Sequence, residues 1–212
     1  MKKIFFSMLT IVLFITACKT EKKQDLTSQS DVKNTVEQEE AFDATHAADA
    51  AASIVTWKGF KPTGSHHGTI PIKSGGVVYQ DGQLQKGEFV LNLAELTVDD
   101  IPADDDMHGK LVKHLKSEDF FDTNTYPEAV FVFGRVEDGK LLGRLTLKNK
   151  VKPLSIPFTV SEADGVLTLK AEAFKLDRTD YGIRYKSKKF FDNLKDKFID
   201  DEFEVSFEVK LK

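Results

Sequence analysis

Two adjacent histidines carry the side chains best suited to chemistry in this chain. His66 and His67 lie in a predicted β-strand, where neighbouring side chains point to opposite faces. They cannot share a metal ion without a β-bulge, and His108 and His114 could join them only through a folded-over helix. No HExxH-like spacing adds further ligands. We therefore expect no metal site, a structural role for one histidine and a head-group hydrogen bond from the other, with His66 as the candidate.

A second polar cluster surrounds Arg178. Asp177 precedes it, and Asp180 and Tyr181 follow. At the rim of a cavity, Arg178 could bind a phosphate or carbonyl head group, with Tyr181 beside it. Alternatively, Arg178 pairs with Asp177 or Asp180 and fixes a loop. The residue types alone leave both interpretations open.

A basic segment with two aromatic residues in its middle follows this cluster. Phe190 and Phe191 interrupt the cations, which are Arg184, Lys186, Lys188, Lys189, Lys195 and Lys197. Such a segment is typical of a solvated surface. It could also guide the domain onto an anionic membrane.

The N-terminus has the features of a lipoprotein signal. Lys2 and Lys3 precede a largely apolar run over residues 4–15, whose length of twelve residues is below the roughly 20 of a membrane-spanning helix. Residues 15–18 read Ile-Thr-Ala-Cys and resemble a bacterial lipobox. Cys18 is the only cysteine, which excludes an internal disulfide. We predict a signal peptide over 1–17, lipidation of Cys18, and an anchored location at the periplasmic face or the outer membrane.

Composition divides the remainder into a tether and one domain. Residues 18–52 are rich in polar residues and alanine and contain too few apolar residues for a core, which predicts a lipidated, flexible tether. Residues 53–212 form the predicted folded domain. The net charge of the chain is −4, with no global basic field that would indicate nucleic-acid binding.

The domain has the periodicity of β-strands. Asp81-Gly82, Asp138-Gly139 and Asp164-Gly165 mark hairpins between runs in which apolar and polar residues alternate. This pattern predicts an all-β fold of antiparallel strands with one dry side. About eight strands would close into a barrel that can hold one small ligand, although a two-sheet sandwich fits the same pattern. We expect an eight-stranded antiparallel barrel.

One short helix interrupts the strands. Aspartates over residues 104–106 can cap its N-terminus, and Met107, Leu111 and Leu115 are spaced by four along one face. That face must pack on something. We predict that the helix plugs or caps the barrel.

Several motifs occur in an order that resembles a known family. They are WKGFK from Trp57, GSHHGTI from Gly64, HLKSEDFFDTNTYP from His114, GRLT from Gly143 and LDRTDYGI from Leu176. Together they resemble the YceI-like family of bacterial lipid-binding proteins. The resemblance implies a lipocalin-like, eight-stranded barrel with a helical cap, an isoprenoid or similar amphiphile inside, an envelope location and often a homodimer. Asn149 stands where relatives tend to have a turn glycine, and residues 183–201 form a longer segment than in many members.

A hydrophobic cavity needs no catalytic residues, since each buried methylene of a ligand contributes roughly 0.8 kcal/mol. We predict non-catalytic binding, with transport or storage, of a long-chain isoprenoid lipid or quinone-like amphiphile, without a cofactor. Besides His66, Arg178 and Tyr181, the candidate ligand contacts, each of which could equally be plain core, are Val55, Trp57, Ile70, Phe89, Leu91, Leu93, Phe131, Phe133, Leu145, Phe158, Leu167, Phe203 and Phe207. The main alternative is a surface structural or interaction lipoprotein with a packed barrel and a protein partner. A third is an envelope enzyme that acts on a bound lipid.

Overall fold

Alternating apolar and polar residues form β-strands through most of the computed structural model, which describes residues 42–212. The predicted signal peptide and Cys18 lie outside the described residues. The strands are β1 (His46–Ala47), β2 (Ile54–Lys61), β3 (Gly64–Thr69), β4 (Ile72–Gln80), β5 (Gln83–Asn92), β6 (Glu128–Glu137), β7 (Lys140–Leu147), β8 (Lys150–Pro157), β9 (Thr159–Ala163), β10 (Val166–Asp177) and β11 (Glu202–Leu211). One α-helix, α1 (Asp106–Lys116), lies between β5 and β6, and 3₁₀ turns cover Ala50–Ala52, Leu93–Glu95 and Arg178–Tyr181. Within residues 42–212, no helix is both long and apolar enough to cross a membrane.

The strands form two antiparallel sheets. The first has the order β1-β4-β5-β6-β7-β8 and the second the order β3-β2-β11-β10-β9. Apolar residues face each other along the ladders, as where Phe131 lies opposite both Phe89 and Leu145. In the second sheet, Phe207 lies opposite Val55. The all-β prediction is therefore confirmed.

The sheets do not close into the predicted eight-stranded barrel. The chain changes sheets between β1 and β2, at Pro71 between β3 and β4, and again at Phe158 between β8 and β9. Proline has no N–H to donate to a ladder. Pro71 between two strands and Pro157 at the last position of β8 therefore stand where a ladder can end without the loss of a donor. The fold is thus two sheets with strands that switch between them at corners.

A loop segment covers the free edge of β3. Thr97 N donates to Thr69 O at 2.9 Å, and Asp99 N donates to His67 O at 2.8 Å. The Trp57 indole N–H also donates to Thr97 O, at 3.1 Å. The two backbone bonds occupy carbonyl groups at the edge of β3, which would pair with another strand in a closed barrel.

The fold begins before Ser53. Ala47 exchanges two backbone hydrogen bonds with Lys212, at 2.8 and 2.9 Å, and Ala48 N donates to Gly75 O at 2.9 Å. The structure therefore places residues 46–52 in the folded domain, where the sequence analysis assigns them to the tether. Backbone pairing needs no apolar side chains, so composition gave no sign of it.

The Asp-Gly pairs form the predicted hairpin turns. At Asp138-Gly139, which connects β6 to β7, the φ angles are 49° and 67°, as a type I′ turn requires. Lys148 and Asn149 connect β7 to β8 with φ angles of 47° and 56°. Asparagine tolerates this left-handed region best among non-glycine residues, which accounts for its place at this turn.

Helix α1 begins where the sequence predicts. Asp105 is the N-cap, and its Oδ1 accepts a hydrogen bond from Met107 N at 2.8 Å. Leu115 is buried, whereas Met107 is 56% exposed. A spacing of four residues turns about 40° past a full helical turn at each step, so Met107 no longer shares the buried face with Leu115.

Candidate functional site

A cavity lies between the two sheets. Its volume is about 180 Å³, whereas a cavity needs roughly 10–15 Å³ to hold a single water. Its wall is formed mainly by apolar side chains from both sheets, with Phe89, Phe131 and Leu145 from the first and Val55, Phe203 and Phe207 from the second. The space is therefore much larger than a packing defect and is suited to an apolar guest.

Most of the predicted ligand contacts line this cavity. They are Val55, Trp57, His66, Ile70, Phe89, Leu91, Leu93, Phe131, Leu145, Arg178, Phe203 and Phe207. Phe133, Phe158, Leu167 and Tyr181 do not line it. That the lining residues bind a ligand stays a prediction.

The predicted residues outside the cavity wall have packing roles. Phe133 is 1% exposed, and its ring lies so close to Gly87 that an added Cβ there would be 2.3 Å from Cε1. Leu167 is fully buried and lies opposite Leu211. Tyr181 is also buried, and burial, with a smaller effect from Asp180, raises its pKa to about 12.

Helix α1 and the loop after it close part of the cavity. Leu111, His114 and Leu115 line it from the helix, and Phe120 and Phe121 line it from the loop. The sequence analysis predicted that this helix face packs on the barrel but named none of these residues as ligand contacts. The spacing of Leu111 and Leu115, together with the Phe pair, was the available signal.

The cavity reaches the surface near the end of β2. Lys61 and Asp200 line it although both side chains are exposed. Asp200 N donates to Phe60 O at 2.9 Å, which ties the loop before β11 to β2. His66, on β3, lies opposite Gly59 of β2, so it belongs to the same end. This end carries the polar lining residues, whereas the interior between the sheets is apolar.

Asp100 holds both histidines of β3 in place. Its Oδ2 lies 2.7 Å from His66 Nδ1, and its Oδ1 accepts from His67 N at 2.9 Å. Burial alone would raise the pKa of Asp100, but the His67 N–H and the His66 ring outweigh it and lower that pKa below its ordinary value. His66 lines the cavity and His67 is exposed, so the two rings face opposite sides of the strand as predicted.

Nothing in the described part of the chain resembles a metal centre. Among residues 42–212, no three His, Cys, Asp or Glu side chains lie close enough together to hold a metal ion.

Arg178 lies in the cavity wall and holds the loop before β11. Its side chain is 3% exposed, and the guanidinium donates to the backbone carbonyls of Ile183, Ile199 and Asp200, at 2.9, 3.0 and 3.0 Å. Its acidic partner is Asp201, at 3.3 Å, and not Asp177 or Asp180, which the loop-fixing alternative named. Four of the five N–H groups of an arginine are thus directed at protein atoms.

His114 differs from every other polar residue of the wall. Its ring packs edge-on against Phe120 and Tyr185, with centroid distances of 5.5 and 4.5 Å. Although the residue as a whole is only half-buried, its Nε2 is buried and has no hydrogen-bond partner. Burial lowers the pKa of His114. The negative charge of Asp119 partly opposes this shift, and the positive charge of Lys186 adds to it.

The basic segment forms a largely exposed loop over residues 184–198, in which Ser187 is buried. Phe190 and Phe191 are 44% and 50% exposed. The Arg184 guanidinium lies 4.5 Å from the Phe190 ring centroid, and the Lys188 ammonium lies 3.8 Å from that of Phe198. The loop is continuous with Ile199 and Asp200 of the cavity wall.

Comparison with known proteins identifies the family to which the chain belongs. The model of the YceI-like domain matches residues 27–211. No curated protein matches the chain. BcnA of Burkholderia cenocepacia superposes with a TM-score of 0.60 at 19% identity, covering 77% of this chain and 98% of its own. A polyisoprenoid-binding domain from Saccharophagus degradans, implicated in plant cell wall breakdown, has a TM-score of 0.61 at 14% identity, with coverages of 80% and 99%.

Proposed function

Because the chain belongs to the YceI-like family, we propose that it binds a long-chain isoprenoid lipid or a quinone-like amphiphile between its two sheets. The observation that carries this proposal is the apolar cavity with one polar, surface-reaching end. An amphiphile has the matching arrangement, an apolar chain that ends in a polar head group. The Saccharophagus degradans domain, which shares the fold, is described as polyisoprenoid-binding.

The driving force is the transfer of the chain from water. Each methylene buried against Phe89, Phe131 or Phe207 contributes roughly 0.8 kcal/mol, so a long chain binds without any special polar contact. Binding of this kind requires no catalytic group, and we propose a non-catalytic carrier or storage protein. The alternative of a packed interaction protein requires a filled interior, which the cavity does not support.

We further propose that the domain acts at the cell envelope. The basis is the lipobox-like sequence that ends at Cys18, whose acylation would anchor the chain to the periplasmic face or the outer membrane. Incorporation of a radiolabelled fatty acid into the full chain, and its loss in Cys18→Ser, would support this location. Equal labelling of the two proteins would contradict it. A homodimer is an expectation from the family resemblance, and sedimentation measures it directly.

Mass spectrometry of the unanchored protein tests ligand binding. Residues 19–212 keep the whole described fold and would be purified without detergent, then analysed natively and after organic extraction. We expect about one long-chain lipid per protein. If no lipid is recovered and added polyprenols and quinones are not taken up, the proposal fails.

A cavity-filling variant provides the matched control. Ala129 lines the cavity from β6, and Ala129→Phe places a ring inside it. The control is Val132→Phe, which adds the same ring on the same strand at a position where the Val132 side chain is 40% exposed. We expect about tenfold lower lipid recovery for Ala129→Phe and no change for Val132→Phe. Leu91→Trp is a second inward variant in case Ala129→Phe fails to fold.

A further inference from the structure

The unpartnered nitrogen of His114 is a polar atom without a function in the protein's own packing. A buried polar atom that lacks a hydrogen bond loses its hydration without compensation, and such atoms are rare in native proteins. Nε2 of His114 is such an atom, and the ring that carries it lines the cavity. Phe120 and Tyr185, which pack against this ring, turn their aromatic rings towards it. Since no protein atom satisfies Nε2, a molecule in the cavity that this ring lines could supply the missing partner.

His114 lies at the polar end of the cavity. Phe120 packs against His114 on one side and lies 5.6 Å from the Arg178 guanidinium on the other, and Arg178 donates to Asp200 O. This series of contacts connects Nε2 to the end where the cavity reaches the surface. An amphiphile with its chain between the sheets would bring its head group to this end.

The surroundings of His114 favour an uncharged head group. Arg178 directs its donors at the loop, and the Lys148 ammonium donates to the carbonyls of Glu118 and Phe120, at 3.0 and 2.7 Å. These cations are thus committed to the protein. Asp119 and Lys186 are the charged groups that act on His114, with opposite effects on its protonation. A neutral imidazole can accept from a hydroxyl through Nε2 in one tautomer and donate to a carbonyl in the other.

We propose that His114 Nε2 is the hydrogen-bonding anchor for an uncharged oxygen, a hydroxyl or a carbonyl, on the head group of the bound amphiphile. This inference rests on the proposed function and names the ligand chemistry of that site. The apolar chain supplies most of the affinity, and His114 selects which amphiphiles bind and in which direction they enter.

A cycle of variants and ligands tests the anchor. Binding of a long prenol, a prenylated quinone and an isoprenoid hydrocarbon of matched length would be measured for residues 19–212 and for His114→Leu. The preference is the affinity for an oxygenated ligand divided by the affinity for the hydrocarbon. We expect this preference to be about tenfold larger in the unsubstituted protein than in His114→Leu. The hydrocarbon should bind both proteins equally, which also shows that the variant folds.

Two further variants sharpen the result. His114→Gln keeps a hydrogen-bonding group and should restore part of the preference. His108→Leu makes the same change on the same helix outside the cavity, where His108 Nε2 lies 3.1 Å from Val98 O, and should keep the full preference.

The outcomes separate the two proposals. If no probe binds the unsubstituted protein, the proposed function fails and the anchor with it. If the probes bind but His114→Leu keeps the preference for oxygen, the anchor is overturned and the lipid-binding function stands. If only prenol or only quinone gains from His114, the anchor stands and the source of the oxygen is identified.

The exposed loop over residues 184–198 carries a second inference, on independent observations. It contains six Lys or Arg and two Asp, a net charge of +4, whereas the whole chain has a net charge of −4. Phe190 and Phe191 are exposed in the middle of these cations, and the loop leads directly into the cavity wall at Ile199. Exposed aromatic rings among cations match the interface of an anionic bilayer, where rings insert between head groups and cations meet lipid phosphates.

We infer that this loop docks on an anionic lipid surface. Cosedimentation of residues 19–212, which lack Cys18, would be measured with phosphatidylglycerol-containing and pure phosphatidylcholine vesicles. We expect salt-sensitive binding to the anionic vesicles that falls about tenfold or more in Phe190→Ser/Phe191→Ser. Val151→Ser, at a side chain that is 56% exposed elsewhere, should bind normally. No binding, equal binding to both vesicles, or an unaffected double variant would overturn this inference.

Discussion

At the scale of single residues, Arg178 shows how a residue suited to ligand binding can instead be structural. Its guanidinium donates to three backbone carbonyls and to the Asp201 carboxylate, all in the segment 183–201. That segment supplies Ile199 and Asp200 to the cavity wall. Arg178 therefore shapes the cavity by positioning the segment, even without contact with a ligand.

Removal of the guanidinium should destabilise the fold strongly. We expect Arg178→Gln to lower the free energy of unfolding by about 3 kcal/mol or more, because the partly buried Asp201 carboxylate and three backbone carbonyls lose donors. Urea denaturation measures this change. Arg135→Gln is the matched control, since Arg135 is 71% exposed and its contact with Glu137 is 3.6 Å; its effect should stay below about 0.5 kcal/mol. Similar losses in both variants would contradict the role of Arg178.

His114 should make stability depend on pH. Burial lowers its pKa below the ordinary 6.5, so between the folded and unfolded pKa values the unfolded chain binds more protons. Stability from this group is therefore full above pH 6.5 and is lost as the pH falls, by at most about 1.4 kcal/mol per pH unit. Urea denaturation from about pH 8 to about pH 5 should show this loss in the unsubstituted protein and a weaker one in His114→Leu. Parallel curves would refute the assignment.

At the scale of elements, the loop segment 97–100 completes the second sheet. It pairs with the edge of β3 through Thr97 and Asp99, and Asp100 holds His66 and His67. Gly68 permits this close approach, because a Cβ there would lie 2.0 Å from Thr97 O and 2.9 Å from Trp57 Nε1. The position of His66 in the cavity wall thus depends on a glycine two residues away.

A methyl group at Gly68 should displace this segment. We expect Gly68→Ala to destabilise the fold by about 2 kcal/mol, since the backbone of Thr97 must move and the Trp57 N–H loses its acceptor. Gly134→Ala is the control, because a Cβ there meets nothing within 4 Å. Thermal denaturation and hydrogen exchange of the His67 and Thr69 amides compare the variants. Unchanged exchange in Gly68→Ala would show that the segment does not depend on this contact.

At the scale of the whole molecule, residues 46–52 join the N-terminal part of the domain to its last strand. Beyond the Ala47–Lys212 pair, Asp49 N donates to Lys210 O at 2.8 Å, and the Lys212 ammonium lies 2.6 Å from Asp49 Oδ2. Since β1 pairs with β4 and Ala48 bridges to Leu211, this segment connects one sheet to the other.

Truncation tests the contribution of this connection. We expect residues 53–212 to be less stable than residues 42–212 by a few kcal/mol, at about 1 kcal/mol for each lost hydrogen bond. Differential scanning calorimetry of the two proteins measures the difference. Equal transition temperatures would show that the domain is complete from Ser53 onwards. Asp49→Ala in residues 42–212 separates the side-chain contacts with Lys212 and Ala52 N from the backbone pairing.

The sequence by itself determined the local structure and the apolar character of the interior. Alternating strands, the Asp-Gly turns and an N-cap among the aspartates of residues 104–106 are settled by neighbours two to four residues apart, and each was predicted correctly. The ordered motifs also identified the family. Most of the named candidates do line the cavity, because a strand fixes which side chains share a face.

Only the tertiary structure decided how these elements meet. The two open sheets, the pairing of Ala47 with Lys212 and the bond between Arg178 and Asp201 join residues that are far apart in sequence or that compete with nearer partners. Periodicity has no information on such pairings, since it reports the environment of a residue and not its partner. The unpartnered nitrogen of His114 is the clearest case, because a missing contact becomes visible only when all neighbours are in place.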